Sequence, residues 1–184
     1  MKVKWGEWGY RVFPVVILLL LRVLLDLGKI GGWGFWLGNV LLAAGWIIGW
    51  MMAEGDHLMY ALVCDPSSPT CSMVRTYMSK GQWRMAWKTL EATKAERTKL
   101  PIRNMLSVLV VTGVGLWVIT SSGSFLGSGV VLGLCTRLLL DLWKETDYRK
   151  WYWVFAREFS KTEHRGLTAA VAAAVAVQFL MVLR

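Results

Sequence analysis

Six ionisable residues in this chain are of the types from which metal centres and ion-pair networks are built. They are Glu54, Asp56, His57, Arg103, Arg137 and Asp141. Carboxylates and a neutral imidazole bind divalent cations, whereas a guanidinium stays protonated and pairs with a carboxylate or a phosphate. The six side chains would therefore form a metal site, an ion-pair cluster or an anion site if the fold brings them together. The alternative is that each reaches the lipid headgroups independently.

Two of the six lie inside an apolar stretch that is long enough to cross a membrane. Residues 127–144 place Arg137 and Asp141 four positions apart, which is one helical turn. A charge at the centre of a spanning helix costs about 2.5–3.5 kcal/mol, so such residues usually face other helices, pair with each other or line a site. Arg22 and Asp26 have the same spacing near the end of the first apolar stretch. For this second pair two interpretations stay open: the two charges neutralise each other, or they form a functional site.

The composition indicates a polytopic membrane protein. Hydrophobic residues make up 55% of the 184 residues, mean hydropathy is +0.45, and the apolar residues occur in long blocks. A net charge of +9 would also suit a nucleic-acid-binding protein. The basic residues, however, are scattered between the apolar blocks and form no single run, so we expect no nucleic-acid partner.

The blocks predict an all-α membrane helix bundle in a single membrane domain, residues 1–184. About five transmembrane helices are expected, at about 12–27, 33–53, 102–120, 125–143 and 166–183. The first has no small-residue cleavage site after it, so we interpret it as an uncleaved helix and not a signal peptide. Two amphipathic regions, 54–101 and 144–165, lie between the helices.

The distribution of Lys and Arg predicts the orientation. Three lie in the N-terminal tail, eight in residues 54–103 and six in residues 144–165, whereas only Lys29 and Arg184 fall on the other side. Because cytoplasmic segments carry the excess of positive charge, the N-terminus is predicted to be cytoplasmic and the C-terminus outside. The protein is then a multi-pass protein of the cell (inner) membrane. This orientation places all six ionisable residues at similar depth on the cytoplasmic side.

The cytoplasmic regions have the composition of segments that contact anionic headgroups. Residues 82–97 would place Trp83, Trp87 and Leu90 on one helical stripe beside several basic residues, which suits either a membrane surface or a soluble helix packed on the protein. Residues 147–159 are aromatic and cationic. Cys64 and Cys71 are separated by six residues, and a cytoplasmic location predicts that both are thiols.

Three segments carry a family resemblance. Met52-Ala-Glu-Gly-Asp-His57 ends one apolar stretch, Leu100-Pro-Ile-Arg-Asn-Met-Leu106 begins another, and Gly133-Leu-Cys-Thr-Arg-Leu-Leu-Leu-Asp141 ends a third. Across residues 45–144 the chain resembles the YdjM-like inner-membrane proteins, a family of membrane-bound metal-dependent hydrolases. That family has the motifs Leu-Pro-Asp-x-Asp-His, His-Arg-Gly-x-Thr-His-Ser and Ser-His-x-Leu-x-Asp in the same order.

The resemblance implies a metal site made by Glu54, Asp56, His57 and Asp141, if a metal is retained. Arg103 and Arg137 stand where the second and third motifs have histidines, and a guanidinium cannot bind a metal. We therefore expect an eroded site in which the two arginines neutralise the carboxylates, with no cofactor, in a structural or lipid-binding protein. The same arginines could instead capture a lipid phosphate.

Two alternatives of different class stay open. One is an active hydrolase that uses Zn, Mn or Mg on a phosphoester or lipid-linked substrate at the cytoplasmic headgroup level. The other is a small transporter or channel, or an accessory subunit that docks on another membrane protein. Gln178 is the one further polar residue deep in an apolar stretch that would support transport.

Overall fold

The computed structural model describes residues 5–29, 31–56, 69–92 and 100–183. These residues form seven α-helices and two short 3-10 segments and contain no strand, so the prediction of an all-α fold is confirmed at this level. The α-helices are α1 (Trp5–Leu25), α2 (Trp33–Met52), α3 (Pro69–Ser79), α4 (Trp83–Ala92), α5 (Met105–Ser121), α6 (Phe125–Lys144) and α7 (Lys161–Leu183).

Three of these helices are long and apolar enough to cross a membrane, namely α2, α6 and α7. The apolar part of α1, Val12–Leu25, and the whole of α5 are shorter. The observed ends differ from the predicted ones mainly at α1 and α7, which begin several residues earlier than the apolar runs. Aromatic, glycine and charged residues extend α1, and polar residues extend α7, because backbone hydrogen bonding does not require an apolar side chain.

Helix α6 lies at the centre of the described bundle, and its largest interface is with α2. The two helices run parallel and touch through glycines. A Cβ at Gly45 or Gly49 would overlap a carbonyl oxygen of α6, and one at Gly129 or Gly133 would overlap a carbonyl oxygen of α2. Such glycine faces let two backbones approach closely in membrane bundles. Gly129 and Gly133 therefore have a structural role in this interface.

Two apolar clusters surround α6. One, around Leu42, Trp46 and Leu132, joins α6 to α1 and α2. The other, which includes Val108, Leu138 and Val171, joins α6 to α5 and α7. Buried Gln178 on α7 adds one polar contact, because its Nε2 donates to the Thr112 carbonyl oxygen at 2.9 Å. Helix α6 is thus packed on both sides. This packing fixes the position of its C-terminal end, where Arg137 and Asp141 lie.

Helices α3 and α4 form a small antiparallel hairpin around a turn with Gly81 at φ +70. Val74, Ala86 and Leu90 make its core. The predicted stripe is therefore divided, since Leu90 is buried against α3 while Trp83 and Trp87 are exposed. Helix α3 was not predicted from the sequence, because its apolar and polar residues balance and form no apolar block.

Cys71, in the first turn of α3, is disulfide-bonded, so the predicted thiol is wrong. Cys64, the cysteine with which the spacing could pair it, lies outside the described residues. The thiol prediction rested on an assumed cytoplasmic location. A disulfide needs two sulfurs within bonding reach and is rare in a reducing compartment, so the bridge is at odds with that location for α3. Cys135 is a free, buried cysteine on α6.

Candidate functional site

Three helix ends meet at one end of the bundle: the C-terminal ends of α2 and α6 and the N-terminal end of α5, with the segment that precedes it. The parallel packing of α2 and α6 explains the first part of this arrangement, because it brings their C-terminal ends to the same side. A short connection, residues 122–124, joins α5 to the start of α6 and makes those two helices antiparallel. The start of α5 therefore lies beside the end of α6, and the ionisable residues at all three places come together.

Asp56 anchors the start of α5 through the backbone. Its Oδ1 accepts the N–H of Ile102 at 2.9 Å, and its Oδ2 accepts the N–H of Arg103 at 3.0 Å. The side chain is fully buried. Burial raises the pKa of Asp56 above its ordinary value, and the two backbone hydrogen bonds and the charge of Arg103 only partly oppose that increase. Asp56 thus acts as a structural acceptor for the α5 entry segment.

Arg137 bridges two carboxylates. Its Nη2 donates to Glu54 Oε1 at 2.8 Å, and its Nε donates to Asp141 Oδ2 at 3.1 Å. The guanidinium also lies 5.2 Å from the centroid of the Trp50 ring, at cation–π distance. Glu54 follows α2, and Asp141 lies in the last turn of α6. The Arg137 side chain therefore joins the two glycine-packed helices at their C-terminal ends.

Arg103 completes the cluster. Its Nε donates to Asp141 Oδ2 at 3.0 Å, so that one carboxylate oxygen accepts from two guanidiniums. The side chains of Arg103 and Arg137 are largely buried, while Asp141 and Glu54 keep partial contact with solvent. The structure therefore brings together Glu54, Asp56, Arg103, Arg137 and Asp141, which we call the charge cluster. His57 lies outside the described residues.

The charge cluster has the form of an ion-pair network. Within the described ranges, no three His, Cys, Asp or Glu side chains lie close enough together to hold a metal ion. The carboxylate oxygens of Asp56 and Asp141 that would be needed as ligands accept hydrogen bonds from the chain instead. The two guanidiniums likewise donate to protein carboxylates, which leaves fewer donors for a lipid phosphate.

Sequence reasoning missed two parts of this end of the molecule. The first is the pairing of Asp56 with backbone N–H groups, for which no side-chain pattern gives a signal. The second is a hydrogen bond of 3.1 Å between the Tyr152 hydroxyl and His164 Nδ1. The Tyr148 ring stacks on the same imidazole, with the two ring centroids 5.0 Å apart. Burial raises the pKa of Tyr152 to about 12.

A cavity of about 510 Å³ adjoins this aromatic group. Its charged lining residues are Lys161 and Arg165, from the first turns of α7, and Glu145, and the His164 imidazole also lines it. Exposed Trp143 stands at its edge. The cavity has an excess of positive charge and an aromatic rim, which is the arrangement found at lipid headgroup depth.

Comparison with known proteins gives no family for this chain: no family model matches it, and no curated protein and no solved structure is significantly similar to it.

Proposed function

We propose that this chain is a multi-pass membrane protein whose charge cluster is structural, in the place where a YdjM-like hydrolase would hold its metal. The observation that carries the proposal is the bridging of Glu54 and Asp141 by Arg137. In the proposed orientation, with five crossings and a cytoplasmic N-terminus, the cluster lies at the cytoplasmic end of the bundle. The distribution of Lys and Arg supports this orientation, and the disulfide at Cys71 opposes it. There it joins the ends of three helices.

The choice of arginine supports this proposal. A guanidinium offers several donors in a fixed plane and pairs with two carboxylates at once. A divalent cation in the same place would meet two fixed positive charges within hydrogen-bond distance of its ligands. Bound metal and both arginines would therefore repel each other, and the arginines make the ion-pair network without any cofactor.

Metal analysis of the detergent-purified protein tests the proposal. We expect the wild type to contain no stoichiometric metal and the double variant Arg103→His/Arg137→His to take up one divalent metal. The matched control is Arg149→His/Arg157→His, which adds two histidines outside the cluster. Stoichiometric Zn, Mn or Mg in the wild type would refute the proposal and favour the active hydrolase. A cluster variant with no more metal than the control would refute the idea that the ligand architecture is kept.

A second function, binding of anionic lipid at the cytoplasmic surface, is favoured by the cavity beside α7. Lys161 and Arg165 lie one helical turn apart on its wall. We expect Lys161→Gln/Arg165→Gln to lower binding to vesicles that contain phosphatidylglycerol. The control Arg149→Gln/Lys150→Gln removes the same charge outside the cavity. Equal losses in both variants would mean that binding depends on net charge and not on the cavity.

A further inference from the structure

The opposite end of the bundle contains a second cavity, which none of the functions proposed above uses. It has a volume of about 570 Å³ and lies where α1 ends and where α2 and α6 begin. Its lining is unusual in composition, since half of the residues are glycines. The lining residues are Arg22, Asp26, Phe35, Phe125 and the glycines Gly28, Gly31, Gly32 and Gly34.

Arg22 is the charged side chain that defines this cavity. It is only 7% exposed, its Nη1 has no hydrogen-bond partner, and its guanidinium lies 4.6 Å from the centroid of the Phe125 ring. The predicted self-neutralising pair with Asp26 therefore leaves at least one nitrogen unsatisfied, although Asp26 attracts Arg22 through its charge. A buried donor without a partner costs about 1–3 kcal/mol, and more when it is charged. Binding of a hydrogen-bond acceptor at this nitrogen would remove that cost.

The start of α2 supplies a second group of donors on the same cavity. Its N-cap residue, Gly32, makes no side-chain capping hydrogen bond, and the first turn has no acidic residue. The N-terminal end of a 20-residue helix leaves backbone N–H groups without helical partners and carries a positive potential, and of these groups the Phe35 N–H donates to the Gly32 carbonyl oxygen at 3.1 Å. Side chains do not obstruct the approach, because a Cβ at Gly31 or Gly34 would meet no atom within 4 Å.

These two features point to the same kind of ligand. The charges of Arg22 and Asp26 cancel, so the pair alone has no preference for an anion. The unsatisfied Nη1 and the α2 N-terminus, which has no side-chain cap, both add attraction for negative charge, and Asp26 supplies neither donor nor positive potential. Helix N-termini with glycines around them are established anion sites. Phe125 keeps the guanidinium in place by stacking on it.

We propose that this cavity binds an oxyanion, of the phosphate or carboxylate class, between Arg22 and the N-terminus of α2. In the orientation proposed above it faces the outside of the membrane. Two sources supply such a group there: the phosphate of an outer-leaflet phospholipid and a free anion from solution. The site is separate from the charge cluster, and its existence does not depend on whether that cluster is structural.

Two variants separate loss of the site from loss of the fold. Arg22→Gln removes the charged contact. Gly34→Asp places a carboxylate in the first turn of α2, where it occupies the anion position while favouring the helix N-terminus. Gly34→Asn is the control of nearly equal shape without the charge. Since the position of Gly34 is open, neither substitution should disturb the packing.

The experiment uses the purified full chain in two arms. In the first, inorganic phosphate is titrated in zwitterionic nanodiscs by calorimetry. In the second, phospholipid that stays bound after detergent purification is counted by native mass spectrometry. If the anion comes from solution, phosphate binds the wild type and the Gly34→Asn variant and at least tenfold more weakly the Arg22→Gln and Gly34→Asp variants. If it is a lipid headgroup, phosphate fails to bind, and one retained phospholipid is lost in the same two variants. Absence of both ligands from the wild type, or equal binding in all four proteins, would overturn the proposal.

Discussion

Removal of the Arg137 guanidinium should destabilise the end of the bundle that contains the charge cluster. We consider Arg137→Met, which keeps most of the apolar stem and deletes the donors. Glu54 then loses its contact at 2.8 Å, and Asp141 keeps its hydrogen bond from Arg103 at 3.0 Å. The cluster also changes from three carboxylates and two guanidiniums to three carboxylates and one, which adds repulsion between the acidic groups.

The magnitude follows from the burial of the partners. Breaking a fully buried ion pair costs about 3–5 kcal/mol because it leaves a charge without compensation. Here the side chains of Glu54 and Asp141 are 31% and 21% exposed, so water compensates part of the loss. We therefore expect a cost of about 2–3 kcal/mol, below the fully buried range and above the 0–1 kcal/mol that is typical of surface pairs. For a chain of 150–250 residues, that corresponds to a decrease in Tm of about 4–12 °C.

The assay is thermal unfolding in detergent followed by tryptophan fluorescence, with Arg149→Met as the exposed control. Arg137→Lys should lose about half as much stability, because one ammonium cannot serve two carboxylates with the geometry of a guanidinium. A double-mutant cycle of Arg137→Met with Glu54→Gln should give a coupling energy of about 0.5–3 kcal/mol. A Tm for Arg137→Met equal to that of the exposed control, or a coupling energy of zero, would refute the view that the cluster ties the helix ends together.

Three further predictions concern other contacts. Gly49→Ala should destabilise the bundle by about 1–3 kcal/mol because the added methyl group meets a carbonyl group of α6. The control Gly113→Ala, at an open position on α5, should be neutral or stabilising. Equal changes in the unfolding free energy of the two variants would contradict the glycine packing. Asp56→Asn should lose one of the two backbone hydrogen bonds that it accepts, which costs about 1–3 kcal/mol and accelerates amide hydrogen exchange at the start of α5; unchanged exchange would exclude the anchoring role. The raised pKa of Tyr152, about 12, means that its contribution to stability is complete below about pH 10 and is lost as the pH rises through 12. Phenolate absorbance of the wild type should contain a component with that midpoint, and Tyr152→Phe should lack it.

The meeting of the charges at one end of the bundle could be anticipated from the sequence because it depends on few quantities. The ends of apolar runs locate Glu54, Arg103 and Asp141 along their helices, and alternating helix directions place those ends on one side. The i, i+4 spacing of Arg137 and Asp141 then makes their contact nearly independent of the rest of the fold. Patterns of length, period and charge distribution carry all of this information.

Other features depend on three-dimensional contacts for which the sequence has no periodic signal. Asp56 pairs with backbone groups of a segment more than forty residues away, and any residue there offers the same N–H groups. The α3–α4 hairpin is stabilised by a small core around Val74, so its helices lack a long apolar stripe. Arg22 has the helical spacing for a pair with Asp26. The start of α6 nevertheless brings Phe125 over the guanidinium, and only the packed bundle makes that contact visible.

The two ends of the bundle differ in charge balance, and this difference decides where each kind of ligand can act. In the charge cluster the carboxylates outnumber the guanidiniums, and the donors of Arg103 and Arg137 are directed to protein oxygens. An anion that approached would have to displace those contacts against the surplus negative charge, so phosphate capture by these two arginines is disfavoured. At the other end a buried guanidinium, Arg22, has an unsatisfied nitrogen beside a helix N-terminus. The same residue type is therefore a structural cation at one end and the better candidate for a ligand contact at the other.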